Sequence, residues 1–484
     1  MRAAAGGSDG SCPTVRAGRA PSFVAVDGFG AGAQFDALAD VAIEGTARPR
    51  RPGRGGERVF GAEPIALIPP RRLRQRPRAW PVALVTAAVT WVAAVGLQPL
   101  QDRADFVQYA VVDQRLYMPF YLGLAALALV AWLRLPAFPR QLIDPLLLGF
   151  LLWAAVTVMV APEPARAALN WGKQVAYLLG VGALVTLAPS QRLLVRVLAA
   201  TLLAIVAIDL VAVVIRPDVA VHQASDAVEP TLAGLWRGLH PHKAKFGEAL
   251  AFAFLLTQFE ARARHERWRL VLLPLLVLVM VAAGAKTSLL ALALALVTTA
   301  ALTRVARHVP GPVATVVAAP FVAVAGVGIA ALVPVLLADL FGDVTLAGRT
   351  RLWAFLWHYA AAHPLAGSGF MSFFVGEGGP LFRSGDALLM RMGNAHNSFL
   401  DLLVTTGWPG AMLGCLALVV APVARAYRRL PDDRFARLWV TVLLFGGISS
   451  LTSVTLLQTE RAAGLMMTLA YAGLRLRRPV AADG

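Results

Sequence analysis

The chain has 484 residues, of which 58% are hydrophobic and 15% are charged. A soluble domain carries about 25% charged residues, so this composition excludes an ordinary soluble protein. The net charge of +17 at pH 7 is typical of arginine-rich connections between membrane spans, and we therefore expect no nucleic-acid binding. The two cysteines, Cys12 and Cys415, lie in a polar tail and in an apolar block, which argues against a disulfide framework and a cysteine metal site.

Residues 1–78 form an N-terminal segment rich in Gly, Ala, Pro and Arg. It lacks the apolar core and small-residue cleavage site of a signal peptide. A composition of this kind buries too little apolar surface to fold, so we predict a mostly disordered tail. The basic run Arg71–Arg78 directly precedes the first apolar block, and this charge predicts that the tail lies in the cytoplasm.

Apolar blocks of about 20 residues follow, each long enough to cross a hydrocarbon core of about 30 Å as a helix. Backbone groups in lipid must be bonded within their own segment, so repeated blocks predict helices rather than a barrel. We expect an all-α, polytopic transmembrane protein with about twelve spans. The membrane domain would cover 79–475, followed by a cytoplasmic tail at 476–484. The predicted spans are 80–98, 117–134, 142–160, 173–188, 194–215, 246–260, 269–284, 286–303, 312–337, 398–423, 436–455 and 459–475.

Charges in the connections alternate along the chain in agreement with these spans. With a cytoplasmic N-terminus, arginines gather in the inner connections and most acidic residues lie in the outer ones. The pattern predicts a multi-pass protein of the cytoplasmic (inner) membrane with both termini in the cytoplasm. The inner arginines include Arg134, Arg140, Arg192, Arg196, Arg304, Arg307, Arg425, Arg428, Arg429 and Arg475, and the outer acids include Glu163, Asp218, Asp339, Asp343, Glu377 and Asp386.

Two outer connections are longer than the rest, at 216–245 and 338–397. A long polar loop inside a compact protein is usually functional, so we expect the chemistry to face outward. Within the larger loop, apolar residues recur at helical spacing and predict an amphipathic helix that ends at Pro364. Trp353 and Trp357 are expected to hold this helix in the outer membrane interface. The apolar positions are Leu352, Phe355, Leu356 and Tyr359.

Arg349 and Arg351 lie at the start of this predicted helix. A guanidinium group matches phosphate oxygens with two parallel hydrogen bonds, so the pair is a candidate anion site. The alternative is that both side chains extend along the interface with their charged groups in water.

His396 is the candidate base, in the turn before the next span. The turn also reads as a helix start, with Ser398 and Asp401 as a capping box or Asn397 as the cap. The two interpretations are compatible, because the positive end of a helix disfavours imidazolium and keeps the imidazole neutral.

A second cationic group closes the earlier outer loop, with Arg237, His242, Lys243 and Lys245, and Lys286 begins a span on the same side. Cations that converge on one face suit a diphosphate, whereas flanking charge at helix ends is the alternative for the lysines. No carboxylate or cysteine accompanies the histidines at ligand spacing, so we expect no metal. Asp144 and Asp209 lie in or beside spans, where we favour a structural role.

The three ordered blocks GRTRLW (348–353), HPLAGSG (363–369) and AHNSFL (395–400) together resemble the O-antigen ligase and polymerase superfamily. WRGLHPHK (236–243) and AKTSLL (285–290) are similar to the exopolysaccharide-polymerase branch. The resemblance covers about 80–475, with a ligase-like region at about 240–420. Where that branch usually has Asn after His-Lys, this chain has Ala244.

The resemblance implies a metal-independent, inverting membrane glycosyltransferase without a cofactor. It would move a glycan from undecaprenyl diphosphate to an acceptor hydroxyl on the outer face, in surface polysaccharide polymerisation or ligation. His396 would be the base, Arg349 and Arg237 would bind the diphosphate, and the neighbouring cations and Asn397 would contact substrate. Lipid-linked oligosaccharide and membrane lipid are the expected partners, with a chain-length regulator as a further candidate.

Two other functions stay open at this level. A transporter or flippase would need charged or broken helices at mid-membrane, whereas most cations here lie at the outer edge. A membrane glycosyltransferase of another architecture would use an acidic pair in its first outer loop, for which Asp102 and Asp105 are the candidates.

Overall fold

The computed structural model describes residues 79–97, 114–225, 230–260, 267–311, 345–374, 378–386 and 389–476. The predicted tails at 1–78 and 477–484, the predicted span 312–337 and the pair Asp102 and Asp105 lie outside these residues. Most of the described chain is helical, and its only extended pairing is one isolated antiparallel bridge between Val221 and Trp236. The all-α prediction is confirmed.

The helices follow one another with short connections. In chain order they are α1 (Ala79–Ala94), α2 (Gln114–Arg134), α3 (Phe138–Leu142), α4 (Pro145–Val158), α5 (Pro164–Leu187), α6 (Gln191–Ile215), α7 (Pro217–Ala220), α8 (Lys243–Glu260), α9 (Arg269–Ala282), α10 (Lys286–Val305), α11 (Thr345–Ala362), α12 (Ser398–Cys415), α13 (Ala421–Ala426), α14 (Arg434–Ser449) and α15 (Ala462–Arg475). A π turn, Leu416–Val420, joins α12 to α13.

Four described helices are long and apolar enough to cross a membrane: Leu116–Arg134, Gln191–Ile215, Lys286–Val305 and Ser398–Arg429. Three shorter apolar helices accompany them, namely α1, α4 and α9. Many large apolar side chains on these helices are exposed, among them Leu133, Val214 and Leu270. An exposed apolar surface of this extent is typical of contact with lipid. The chain is therefore a polytopic membrane protein, and the number of twelve spans stays a prediction.

Small residues allow the closest helix contacts. α2 packs along α5, and a methyl group on Gly180 of α5 would lie 2.7 Å from the carbonyl oxygen of Leu124 in α2. Since lipid offers no hydrophobic drive for helix association, close backbone approach supplies much of the packing attraction between membrane helices. Polar contacts add to it, as in the 3.0 Å hydrogen bond from Thr441 of α14 to Thr299 of α10.

The two ends of the bundle hold different polar contacts. At one end, Asp144 caps α4 through the N–H of Leu147 and forms an ion pair with Arg425. The Tyr471 hydroxyl donates to the carbonyl oxygen of Leu142 over 2.9 Å at the same end. These residues lie in or next to connections that the charge pattern assigns to the inner side. The opposite end gathers the starts of α8 and α12, which the same pattern assigns to the outer side. The grouping agrees with the predicted alternation of the connections, and the orientation in the membrane stays a prediction.

We predict that Gly180→Ala destabilises the protein by about 1–3 kcal/mol, because the added methyl group forces α2 and α5 apart. The matched control is Gly172→Ala on the same helix, where a methyl group would meet no atom within 4 Å. Both changes gain the same helix propensity, so their difference isolates the packing effect. Thermal unfolding in detergent measures it, and equal midpoints for the two variants would contradict the close contact.

Candidate functional site

The candidate site is built on the N-terminus of α12. Asn397 is the cap, and its Oδ1 accepts hydrogen bonds from the N–H groups of Phe399 and Leu400 at 2.9 and 3.1 Å. Of the two caps that the sequence offered, the structure selects Asn397 rather than Ser398. Asp401 instead accepts from the N–H of Ala395 at 3.4 Å. The helix start carries partial positive charge, as the argument about the base requires.

His396 lies one residue before this cap in a left-handed backbone conformation, with φ of 49°. This region is uncommon for non-glycine residues, although histidine tolerates it better than most, and it persists where the surroundings fix the chain. Its N–H donates to Oδ1 of Asn394 over 2.9 Å, and the indole of Trp353 donates to the carbonyl oxygen of Ala395 over 2.9 Å. The half-buried His396 ring is thus presented by a turn that is fixed on both sides.

The loop between α14 and α15, residues 450–461, holds the start of α12. Ser398 N–H donates to the carbonyl oxygen of Ser450 over 2.8 Å. The Ser398 hydroxyl accepts from the N–H groups of Thr455 and Leu456 at 2.8 and 3.2 Å. The side-chain NH₂ of Asn397 donates to the carbonyl oxygen of Leu451 over 3.1 Å. Both residues are almost fully buried, so these contacts fix the base-bearing turn against the last two helices.

The sequence interpretation missed this loop. It drew spans at 436–455 and 459–475, whereas α14 ends at Ser449 and α15 begins at Ala462. Apolar residues within the loop produced the long apolar blocks, and the charged Glu460 and Arg461 were the signal that the second span begins later.

Lys245 and Glu248, in the first turns of α8, form a buried ion pair with Nζ 2.7 Å from Oε1. The ammonium group also donates to Oγ of Ser453 over 3.2 Å, which connects α8 to the 450–461 loop. Lys245 lies just before the predicted span, and burial lowers its pKa to about 8, with Glu248 opposing the shift and Arg461 adding to it. The sequence interpretation gave Lys245 no preferred role.

Arg237 is buried, and its Nε donates to the carbonyl oxygen of Val219 over 2.8 Å. The next turn is organised by Asp209, which accepts from the N–H of Leu239 at 2.7 Å and contacts His240 Nε2 at 3.1 Å. Gly238, at φ of 59°, lies directly against the Asp209 side chain, where a larger residue would collide. Asp209 therefore has the structural role that we expected.

His242 and Lys243 lie at the start of α8. Nδ1 of His242 accepts from the N–H of Ala244 at 3.1 Å, and the backbone N–H of Lys243 donates to Nε2 of His222 over 3.3 Å. The rings of His222 and His242 meet edge to face at 5.3 Å. Both histidines thus help to satisfy the N–H groups at this helix start. Within the described ranges, no three His, Cys, Asp or Glu side chains gather as metal ligands would.

The amphipathic helix predicted in the large loop is α11. Leu352 and Leu356 are fully buried, and Trp357 is exposed. The helix ends before Pro364, as predicted. Trp353, expected to lie in the membrane interface, instead contacts the turn that carries His396.

Arg349 lies one helical turn before Trp353, on the face of α11 that approaches the His396 turn, and its side chain is half-buried. Arg351 points elsewhere. It is 64% exposed and forms an ion pair with Asp386 at 2.6 Å. Of the two predicted anion-binding arginines, Arg349 has the position that approaches the candidate base.

Lys286 is exposed at the start of α10, next to the start of α8. Gly247 of α8 packs against Ala285, the residue before Lys286, and Gly284 packs against Leu235 of the earlier outer loop. The structure thus brings Lys286 beside the 216–245 loop and the start of α8, which carry the other cations of this predicted group.

The glycine-rich segment 363–369 packs against α12. The carbonyl oxygen of Pro364 accepts from the N–H of Trp408 at 2.8 Å, and Ser368 N–H donates to the carbonyl oxygen of Val404 over 2.8 Å. Gly407 has φ of 67° at a kink in α12, and Gly367 has φ of 60°. A side chain on either would collide with the facing backbone, so these glycines serve close packing.

The ring of His363 stacks on Tyr359 at 4.1 Å, and its Nδ1 lies 3.1 Å from the carbonyl oxygen of the same residue. Burial raises the pKa of Tyr359, and the nearby Arg383 guanidinium opposes the shift. His363, the histidine of the HPLAGSG block, therefore packs on α11, and we assign it no part in base catalysis.

Comparison with known proteins gives one family. Residues 270–415 match the family model described as O-antigen ligase, a range that contains Lys286, Arg349 and His396. The match confirms the resemblance to the O-antigen ligase and polymerase superfamily. No curated protein matches the chain.

The variant Lys245→Met tests whether burial destabilises the Lys245 ammonium group, through the pH dependence of unfolding. The folded pKa of Lys245, about 8, lies below the ordinary value of 10.5. Below pH 8 Lys245 is protonated in both the folded and the unfolded protein, so the folded protein bears the full cost of desolvating the ammonium group. Between the two pKa values the unfolded state binds more protons, so stability rises with pH.

We expect the unfolding midpoint of the unmodified protein, relative to Lys245→Met, to rise from pH 8 to pH 10.5 in detergent. Lys286→Met removes an exposed lysine and serves as the matched control. Parallel pH profiles for the unmodified protein and Lys245→Met would show that this ammonium is not destabilised by burial.

Proposed function

Because the chain carries an O-antigen ligase domain, we propose that it transfers a glycan from undecaprenyl diphosphate to an acceptor hydroxyl in surface polysaccharide assembly. The reaction would take place on the outer face of the cytoplasmic membrane. The observation that carries the proposal is the fixed His396 turn at the start of α12, with Arg349 on the helix that contacts it. The family match supports this role for either a polymerase or a ligase.

In this proposal His396 acts as the base. The positive end of α12 disfavours imidazolium, so the neutral ring accepts the proton of the acceptor hydroxyl. The acceptor oxygen then forms a bond to the anomeric carbon as the bond from that carbon to the diphosphate breaks. One displacement of this kind inverts the anomeric configuration, and the electron pair of the broken bond leaves with the diphosphate.

Cations would stabilise the leaving group. A guanidinium that faces developing phosphate charge lowers the barrier because the charge is greater in the transition state than in the substrate. Arg349 is the first candidate, with Arg237, Lys243 and Lys286 as further groups at the same end of the bundle. The proposed reaction needs neither a metal nor a cofactor, since arginine and the helix start supply the positive charge.

Three of the predicted substrate contacts have other partners in the structure. Asn397 uses both ends of its amide within the protein, as the cap of α12 and as a donor to the 450–461 loop. Arg351 is paired with Asp386. His242 accepts a backbone N–H through Nδ1. We therefore place the chemistry on Arg349 and His396 and give these three residues supporting roles.

We predict that His396→Ala lowers the rate of glycan transfer by about 10²–10⁴-fold, the usual contribution of a general base. Arg349→Ala should lower it by about 10²–10³-fold, as for a lost donor to developing charge. The assay uses purified protein in detergent with lipid-linked saccharide extracted from the host, and surface polysaccharide length in a strain lacking the gene gives an independent readout.

His308→Ala and Arg304→Ala are the matched controls, because both residues are exposed near the end of α10 away from the site. Normal transfer by His396→Ala and Arg349→Ala would overturn the mechanism. A flippase moves its substrate across a sealed bilayer, which detergent does not provide. Glycan transfer by the protein in detergent would therefore also distinguish an enzyme from a flippase. Loss of function in Asp102→Asn and Asp105→Asn with dependence on a divalent metal would favour the acidic-loop alternative.

A further inference from the structure

One face of α5 carries polar residues into the bundle. Lys173, Gln174 and Tyr177 are 8%, 5% and 1% exposed, and Arg166 lies on the same face nearer the helix start. Polar residues inside a membrane span are costly, face the bundle interior and mark substrate paths. We call Arg166, Lys173, Gln174 and Tyr177 the α5 polar face.

Residues from two other elements complete this cluster. The hydroxyl of Tyr121 in α2 bonds to Oγ1 of Thr459 at 2.5 Å and donates to Oε1 of Glu460 over 2.9 Å. Nζ of Lys173 lies 5.5 Å from the centre of the Tyr121 ring. The Glu460 carboxylate attracts this ammonium, while the Arg166 guanidinium repels it.

Two atoms of the α5 polar face are buried without a hydrogen-bond partner among the described residues, the hydroxyl of Tyr177 and Oε1 of Gln174. An unpaired buried polar atom is energetically costly. In native proteins such an atom usually has a water, an ion or a ligand as its partner. The Tyr177 hydroxyl interacts electrostatically with Tyr121 and Glu460, so it belongs to the same cluster.

The α5 polar face reaches the protein surface at its Arg166 end, near the start of the helix. A shallow cleft there is lined by Glu163, Arg166 and Ala167 on one side and by Met371 and Ser372 on the other. Arg166 belongs both to the cleft and to the α5 polar face. The cleft therefore lies at one end of the α5 polar face.

We propose that the α5 polar face, with Tyr121 and Glu460, is a carbohydrate subsite that receives one sugar unit of the glycan. The cationic Arg166 and Lys173 are balanced by Glu163 and Glu460, so the cluster has no surplus positive charge for a phosphate. It offers donors and acceptors together with a tyrosine ring, and a sugar presents hydroxyl groups that both donate and accept.

The subsite adjoins the proposed catalytic turn through the 450–461 loop, and this assignment rests on the proposed function. The Thr459–Glu460 part of the loop faces Tyr121. Arg461 follows directly and donates to the carbonyl oxygen of Val454 over 3.2 Å. The Ser450–Leu456 part of the same loop holds the start of α12, so one loop contacts both the proposed subsite and the helix that follows the base.

The test removes the unpaired atoms by Tyr177→Phe, which deletes only the hydroxyl, and by Gln174→Leu, which replaces the amide group. The probe is the extract of host membranes that contains its polyprenyl-linked saccharides. We expect the extract concentration for half-maximal transfer to rise about fivefold, as for one lost hydrogen bond, with the maximal rate unchanged. Without extract, the unfolding midpoint should stay equal or rise, since each change deletes an unpaired polar atom.

Tyr471→Phe is the matched control, because its buried hydroxyl has a partner at the opposite end of the bundle. It should lower the unfolding midpoint and leave the half-maximal concentration unchanged. An unchanged half-maximal concentration in Tyr177→Phe and Gln174→Leu overturns the subsite. In that case a raised unfolding midpoint would indicate that the deleted atom simply lacked a partner. A lowered unfolding midpoint would indicate that the deleted atom held a bound water.

A binding measurement separates this inference from the proposed reaction. In the His396→Ala background, the extract should still raise the unfolding midpoint, and Tyr177→Phe should increase the extract needed by about fivefold. If the unmodified protein transfers no glycan but this binding effect persists, the proposed function is wrong and the subsite stands. If binding does not depend on Tyr177, the subsite is wrong whatever the transfer assay shows.

Discussion

The structure of the candidate site depends on which groups accept hydrogen bonds from the backbone N–H groups at the buried start of α12. A helix start leaves N–H groups without partners, and inside a membrane protein such groups are expensive. Asn397 caps two of them, and the N–H of Ser398 is bonded to Ser450. The Ser398 hydroxyl in turn satisfies two N–H groups of the 450–461 loop. Neither the helix start nor the loop is complete without the other.

This reciprocal docking explains why His396 can hold a left-handed conformation. The backbone strain is offset only where neighbouring groups fix the chain on both sides. Trp353 of α11 fixes Ala395 before it, and the capped start of α12 follows it. The same contact brings the Arg349 face of α11 to the turn. The proposed base and the first proposed diphosphate ligand are therefore positioned by one set of interactions.

Much of this arrangement is predictable from local sequence pattern. The apolar spacing that contains Leu352 and Leu356 predicted α11, because that helix buries one face. The positions of Asp144 and Asp209 beside spans predicted structural carboxylates, and both accept backbone N–H groups. Pro364 predicted the end of α11, since proline has no N–H for the helix ladder.

What the pattern misses depends on tertiary contacts. Lys245 and Ser453 lie more than 200 residues apart, and no local spacing indicates that they meet. The polar partners of Ser398 come from a loop whose Val454 and Leu456 resemble part of a span. Tyr177 and Gln174 read as ordinary residues of an apolar helix, and only the absence of partners in the described structure distinguishes them.

Charge distribution divides the end of the bundle that holds the candidate site into two environments. One environment is cationic, because it holds the loop residue Arg237, the first residues of α8 and α10, and Arg349 of α11. Positive charge of this kind suits a diphosphate. Across the 450–461 loop, the α5 polar face is balanced by Glu163 and Glu460 and suits neutral hydroxyl groups. A lipid-linked glycan joins a diphosphate to a sugar by one bond, so a protein that binds it needs these two environments side by side. The loop that satisfies the start of α12 is also the boundary between them.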